Sequence, residues 1–380
     1  MFKVAYATGS RADYGIVRSY LQMLNSDKNI DLSILVTGSI IDSNYGETIE
    51  LIKADGFKIA NIIDMKLSTE KITNTIHSMS IALDLFGEEL NKNKYDLLII
   101  LGDRYEMMSV AIAAAMQNIP ILHIHGGEIT EGNYDDFIRH CITEMSVFHI
   151  TSTEEYKKRV IQLGNNPDNV LNGGALGAEN CKVIDINNVS EKTKSLKDEN
   201  YFVVLFHPET LTSNSPENQI SILLSVLKRY IDNYKFIFIG SNADTGSDKI
   251  TNKVQKFCEG NENALYVKNL HPDDYHYMVK NSCALIGNSS SGLIEAPSLN
   301  VYTINIGDRQ GGRIRGNSVI DIKCEEKQII NAIETVINEP LIDCINPYYQ
   351  EDSCSKYYDF TKVALDKIKA NNVRKKFYDL

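Results

Sequence analysis

Residues 94–140, KYDLLIILGDRYEMMSVAIAAAMQNIPILHIHGGEITEGNYDDFIRH, decide the fold. The apolar run at 97–101 is too short for a buried helix and passes at once into Gly-Asp-Arg. A strand buried on both faces ends in this way at a ligand crevice. The small residues at 107–116 predict a helix that lies close against a sheet, and a second apolar strand at 121–124 ends in His125-Gly126-Gly127-Glu128. Asp135 and Asp136 fall where the acidic first turn of a helix belongs, ahead of 137–145. Open α/β sheets bind ligands outside the carboxyl ends of their strands, so Asp103, Arg104, His125, Glu128, Glu131 and Asp135 are expected to converge on one small volume. Singly, each reads as a cap or a turn. Acidic and imidazole groups at two neighbouring strand ends, beside glycines that admit a ligand to the backbone, together predict a site.

Towards the N-terminus, a strand at 3–8 turns through Gly9-Ser10-Arg11-Ala12-Asp13 into a helix at 16–24. This is a Rossmann-type βα turn without the GxGxxG fingerprint, which disfavours NAD but leaves room for a phosphate or sugar near Arg11. A strand at 32–36 and a helix at 46–53 follow. A long helix is expected over 69–93, with Ile72, Ile76, Met79, Leu83, Phe86 and Leu90 as its core stripe. Past the central stretch come a strand at 147–152, a Thr-capped helix at 153–163 and a short strand at 170–172. The polar segment 183–200 is the best linker candidate.

The second half repeats the alternation, which predicts a second doubly wound sheet. Its strands at 201–206, 236–239, 264–267, 284–286 and 301–306 end in polar turns, with helices near 219–230, 273–279 and 293–298. The turn Gly287-Asn288-Ser289-Ser290-Ser291-Gly292 is a phosphate candidate, offering amide and hydroxyl donors at a helix start. Arg309 at the next strand end could add a charge-assisted bond, and Glu295 is suited to accept the hydroxyls of a ribose. The expected domains are 1–185 and 186–356, with 357–380 forming a C-terminal helix that packs back on the first.

At 380 residues, with 43% hydrophobic and 23% charged, the chain fits two globular cores. Its longest apolar runs fall far short of the roughly 20 residues that span a bilayer. The start, MFKVAYATGSRAD, lacks the pattern of a signal peptide, so a cytoplasmic location is expected. Seven scattered cysteines show no zinc spacing, and a net charge of −11 argues against a nucleic-acid surface.

Taken in order, GSRADYG (9–15), GDRYE (102–106), HIHGGEITEGNYDDFIRH (123–140), FHPET (206–210), IGSNADTGSD (239–248), GNSSSGLIEAPS (287–298) and INIGDRQGGR (304–313) make a long signature. In these motifs the chain resembles the hydrolysing UDP-N-acetylglucosamine 2-epimerases over nearly its full length, most of all the branch that serves bacterial sialic acid capsules. The resemblance implies a GT-B arrangement, two Rossmann-like domains facing across a cleft. It implies that UDP-N-acetylglucosamine and water give UDP and N-acetylmannosamine with neither metal nor NAD, and that the enzyme is a homo-oligomer, dimer or tetramer. Residue by residue, it puts the uridine diphosphate on Arg11, His207, Asn242, Ser289, Ser290, Glu295 and Arg309. The catalytic acids it implies are Asp103 and Asp135, with Arg104 beside them. One position departs. Much of the wider superfamily reads His-x-Glu before the two glycines and uses that Glu in catalysis, whereas this chain has His125, so His125, Glu128 and Glu131 all stand as candidates for the role.

The chemistry asks for such a cluster. A carboxylate cannot remove an unactivated C2–H, so the C1–O bond must ionise first or nearly so, and placed donors stabilise the departing diphosphate. Loss of H2 gives 2-acetamidoglucal. Reprotonation from the opposite face gives the manno sugar, so two proton handlers are required. Three rival readings share the fold: a GT-B glycosyltransferase, which would need an acceptor; an epimerase of another UDP-amino sugar, of the legionaminic acid type; and a UDP-sugar-binding regulator without turnover.

Overall fold

The computed structural model describes residues 1–42, 48–68, 71–131, 133–209, 214–240, 246–268, 270–340, 343–371 and 373–379. The chain folds into two units, one formed by Met1–Glu128, Asp135–Leu176 and Gln350–Leu380, the other by Ile129–Tyr134 and Gly177–Tyr349. The chain therefore changes unit after Leu176 and after Tyr349, where the sequence placed domain limits near residues 185 and 356.

The first unit holds seven strands, β1 (Phe2–Thr8), β2 (Ile30–Val36), β3 (Ile59–Ile62), β4 (Leu97–Leu101), β5 (Ile121–Ile124), β6 (Phe148–Thr151) and β7 (Val170–Asn172). All pair in parallel, in the order β3-β2-β1-β4-β5-β6-β7. Its helices are α1 (Arg11–Ser26), α2 (Thr48–Ala54), α3 (Ile72–Asn93), α4 (Tyr105–Met116), α5 (Asp135–Met145) and α6 (Glu154–Gln162). Because helices cover the sheet, its central strands read as unbroken apolar runs and their polar residues are pushed to the carboxyl ends. The sheet order reverses between β1 and β4, the place where such sheets bind ligands. There α1 starts with a capping box: the Ser10 hydroxyl accepts from the Asp13 N–H at 3.3 Å while the Asp13 carboxylate accepts from the Ser10 N–H at 3.2 Å.

The α3 stripe is not core throughout. Ile72, Ile76 and Leu83 are 53%, 59% and 37% exposed, and the buried face is Thr75, Ser78, Ala82, Phe86, Glu89 and Leu90. The reason lies in α4. Its small residues let it approach the small-residue side of α3, where the Ser109 hydroxyl donates to the Met79 carbonyl at 2.9 Å and the Gln117 amide to the Gly87 carbonyl at 2.9 Å.

The second unit has six parallel strands, β8 (Tyr201–Leu205), β9 (Lys235–Ile239), β10 (Ala264–Val267), β11 (Ala284–Gly287), β12 (Tyr302–Ile306) and β13 (Val319–Ile322). Their order, β10-β9-β8-β11-β12-β13, again reverses at the centre, between β8 and β11. Its helices are α7 (Leu176–Asn180), α8 (Glu191–Lys194), α9 (Pro216–Leu227), α10 (Ser247–Glu259), α11 (Pro272–Lys280), α12 (Ser291–Ile294) and α13 (Glu326–Asn338). The polar segment 183–200 is no open linker. Its short turns bury Thr193 and Leu196, and Ser190 donates through both its N–H and its hydroxyl to Asp274 on α11, at 2.9 and 2.8 Å. The helix expected at 293–298 is only the single turn α12 followed by a tighter turn, Ala296–Leu299, so its dipole lends little to the serine turn. The last helix, α14 (Ser353–Lys369), rejoins the first unit against α1, where the Tyr20 and Thr361 hydroxyls bond at 2.7 Å.

These are two Rossmann-like sheets, the GT-B-like class that the sequence predicted. No helix among the described residues is long and apolar enough to cross a membrane.

The close passage of β11 beside β8 depends on one glycine. Gly287 has φ +147, and a Cβ there would overlap the Leu205 carbonyl. Gly287→Ala is expected to cost roughly 1–3 kcal/mol or more, as overpacking against backbone does. A lowered urea midpoint would show it, and an unchanged midpoint would mean that the strands can part.

Candidate active site

In the first unit the parallel register sets Leu101 opposite Ile124, and the Gly102 N–H donates to the Ile124 carbonyl at 2.9 Å. Asp103 and His125 thus follow neighbouring strand ends. His125 is anchored by its N–H to the Ile150 carbonyl at 2.8 Å and has φ +66, a left-handed backbone uncommon outside glycine. His123, one turn of the pleat earlier, points into the core: its Nε2 bonds the Gly102 carbonyl at 2.7 Å and its Nδ1 the Thr143 hydroxyl at 3.1 Å. Burial pushes its pKa down to about 4, so it is a neutral structural ring.

Helix α5 brings Arg139, 1% exposed, onto this spot. Its guanidinium pairs with the Asp103 carboxylate and also donates to the Glu128 carbonyl, at 2.9 Å. The Glu128 side chain, 1% exposed, accepts from the Ser152 hydroxyl at 2.8 Å and lies 3.6 Å from Nδ1 of His125. Asp135 is half-buried as the first residue of α5. Across the sheet reversal, Arg104 pairs with fully buried Glu106 at 2.5 Å, and Glu106 fills the space that a Cβ on Gly9 would take. Asp13 accepts from the Thr8 hydroxyl at 2.6 Å and the Gly9 N–H at 3.0 Å. Burial outweighs these bonds and raises its pKa to about 6. Arg11, half-buried, has its pKa lowered by burial.

In the second unit the equivalent reversal carries His207 after β8 and the serine turn after β11. Asn288 binds His207 on both sides, accepting from its N–H at 2.7 Å and donating to its carbonyl at 2.9 Å. The Asn288 carbonyl in turn accepts from Arg309 at 3.1 Å and Gln310 at 2.8 Å. Glu209 shapes the Arg309 turn from below: its carboxylate accepts the Asp308 and Arg309 N–H groups at 2.9 and 3.1 Å and the Gln219 amide at 3.1 Å. Ser289 and Ser290 are half-buried beside it. Glu295 accepts from the Ser291 hydroxyl at 2.5 Å and lies 3.8 Å from His276.

Residues 22–362 match the family model for UDP-N-acetylglucosamine 2-epimerase. The chain belongs to that family. It is 50% identical to the polysialic acid biosynthesis protein P7 of Escherichia coli (NeuC), with 100% of this chain and 98% of that protein covered. It is 33% identical to the hydrolysing UDP-N,N'-diacetylbacillosamine 2-epimerase of Legionella pneumophila, with 95% of each covered. The fold matches the UDP-GlcNAc 2-epimerase of Methanocaldococcus jannaschii solved in complex with UDP-GlcNAc and UDP, with TM-score 0.79 at 16% identity, covering 95% of this chain and 99% of that one.

Of the epimerase residues that the sequence singled out, the structure joins Asp103 and the Glu128 carbonyl through Arg139, sets His125 near the Glu128 side chain, and puts Arg104 with Glu106 at the neighbouring reversal. His207 and Arg309 are joined through Asn288. Glu131 belongs to the second unit: its N–H donates to the Gly311 carbonyl at 3.2 Å. Asn242 lies outside the described residues. Sequence reasoning missed Arg139, Glu106 and Glu209. A signal existed for the first, an arginine flanked by Ile138 and Ile142 on the buried face of α5.

Asp13 links this site to stability. Its folded pKa, about 6, exceeds the ordinary 3.8, so its contribution is full below pH 4 and is lost as pH rises through 6. The shift is equivalent to about 3 kcal/mol. The stability of wild type relative to Asp13→Asn should fall over that interval in urea titrations, and a pH-independent difference would show that Asp13 is not held protonated.

Proposed function

We propose that this epimerase is hydrolysing: it converts UDP-N-acetylglucosamine and water into UDP and N-acetylmannosamine through 2-acetamidoglucal, and it supplies sialic acid synthesis in the cytoplasm. The observation that carries the reading is the cluster after β4 and β5, where a carboxylate held by a buried arginine and an imidazole beside a buried glutamate follow adjacent strand ends. Support for the sialic acid branch comes from the 50% identity to a polysialic acid biosynthesis protein.

In this reading the uridine diphosphate rests on His207, Ser289, Ser290, Arg309 and Glu295, with Arg11 and Asn242 completing it. Arg309 and the serine hydroxyls stabilise charge on the departing diphosphate from donors already fixed in place. As the C1–O bond ionises, C2–H becomes acidic and a carboxylate takes the proton. Asp103 suits this step, because the Arg139 guanidinium favours its ionised form. By the family resemblance Asp135, at the start of α5, is the further acid and Arg104 assists the two. Water then adds to C1 while a second group delivers a proton to the other face of C2.

Incubation with UDP-N-acetylglucosamine in D₂O, followed by NMR, tests this directly. The released sugar should be N-acetylmannosamine with deuterium at C2. No free sugar would overturn the assignment, and N-acetylmannosamine with hydrogen retained at C2 would rule out the glycal. The Legionella relative motivates a second reading, a UDP-diacetamido sugar as substrate, which preferred turnover of that sugar in direct competition would establish. For the nucleotide, Arg309→Ala should weaken UDP binding by roughly 1.5–3 kcal/mol, the worth of a hydrogen bond to a charged group. Unchanged affinity in calorimetry would remove Arg309 from the diphosphate.

A further inference from the structure

We propose that His125 is the second proton handler and that Glu128 is not a handler but the positioning residue that sets the tautomer and charge of that imidazole. This rests on the hydrolysing reading above and names the group that the reading leaves open.

Three observations converge. The Glu128 carboxylate is 1% exposed and occupied by the Ser152 hydroxyl at 2.8 Å, so it is committed inward. Its Oε1 stands 3.6 Å from Nδ1 of His125, an ion-pair separation rather than a hydrogen bond, which closes to one with a small rotation of either side chain. A carboxylate on that side keeps the proton on Nδ1 and stabilises the imidazolium, the relation by which a buried acid orients a catalytic histidine. Nε2 is then the atom that exchanges a proton with substrate. His125 is moreover held at φ +66 between the end of β5 and Gly126, a strained conformation for a residue other than glycine and one that clusters at working sites.

The surroundings decide the charge. From β5, His123 is neutral; from α5 come Arg139, already matched by Asp103, and His140, whose pKa burial lowers; from α6, Arg159 is bound to the Gly127 carbonyl at 2.5 Å. Glu128 is thus the anion that favours His125 in its charged form.

The step balances as follows. A carboxylate has taken H2 and UDP has left with the C1–O electron pair. The His125 imidazolium gives its Nε2 proton to C2 of the glycal, the cationic C1 takes water, and the proton that this water sheds restores the imidazolium, while the proton that the carboxylate took from C2 passes to the released diphosphate or to solvent.

The test uses the full chain with UDP-N-acetylglucosamine. His125→Asn is the variant of choice, because Asn adopts left-handed backbone readily. It should lower N-acetylmannosamine formation by about 10²–10⁴-fold, the loss typical of a general acid or base. It should also release 2-acetamidoglucal and bind UDP as wild type does. Glu128→Gln should retain more turnover while moving the limb of the pH–rate profile that reports the imidazole to lower pH, because the stabilising anion is gone. A merely structural Glu128 would lower turnover without moving that limb. His125→Asn with turnover within tenfold of wild type, or Glu128→Gln with an unmoved limb, overturns the proposal. Wild type that frees no sugar overturns the hydrolysing reading instead, so the two failures are distinct.

Discussion

The arrangement of the first unit's site depends on one buried cation. Arg139 is 1% exposed, and taking a guanidinium out of water costs several kcal/mol unless its donors are matched. Its partners come from two different segments, Asp103 after β4 and the Glu128 carbonyl after β5, so satisfying the charge fixes both relative to α5. The neutral ring of His123 completes the brace by tying Gly102 to Thr143, one turn beyond Arg139 on the same helix. A protonated His123 would set a second buried cation close by. Its low pKa, about 4, is therefore part of the construction.

The second unit solves a related problem with the opposite sign. Glu209, 8% exposed, is a buried anion whose matching donors are two backbone amides of the Arg309 turn and the Gln219 side chain. Donors bound to a fixed acceptor cannot wander, which is the condition for stabilising developing charge without reorganisation. Asn288 does the same for His207 with a donor and an acceptor on one amide. In each unit the residues that would meet substrate are held by others that would not.

This division explains what was legible in the sequence. Short apolar runs ended by Gly-Asp-Arg, His-Gly-Gly-Glu or Gly-Asn-Ser are local patterns, and they marked β4, β5 and β11 together with the polar residues that follow them. The bracing residues have no such signature. Arg139 is a lone arginine in a helix, and nothing local in FHPET marks Glu209 as a brace, because the backbone amides that it holds lie about a hundred positions away. The α3 stripe misled for a related reason: periodicity reports which residues are apolar, but the approach of α4 to Ser78 and Ala82 decides which face is buried. The exposed β3, the peripheral β13 and the amphipathic α10 and α13 went unread, since none of them ends in a polar constellation that draws the eye.

The loop between β5 and α5 is divided between the two units. Glu128 and Asp135 belong to the first unit, yet the residues between them belong to the second, where Ile129 and Glu131 lie against Gly311 and Gly312. A Cβ on Gly312, which has φ +77, would collide with Ile129, so these glycines are small because the loop passes over them. The same glycines close the turn that Arg309 opens. Read as a run of polar letters, ITEGNYDD suggested a single acidic cluster; folded, Glu131 anchors the loop in one unit while Asp135 begins a helix in the other.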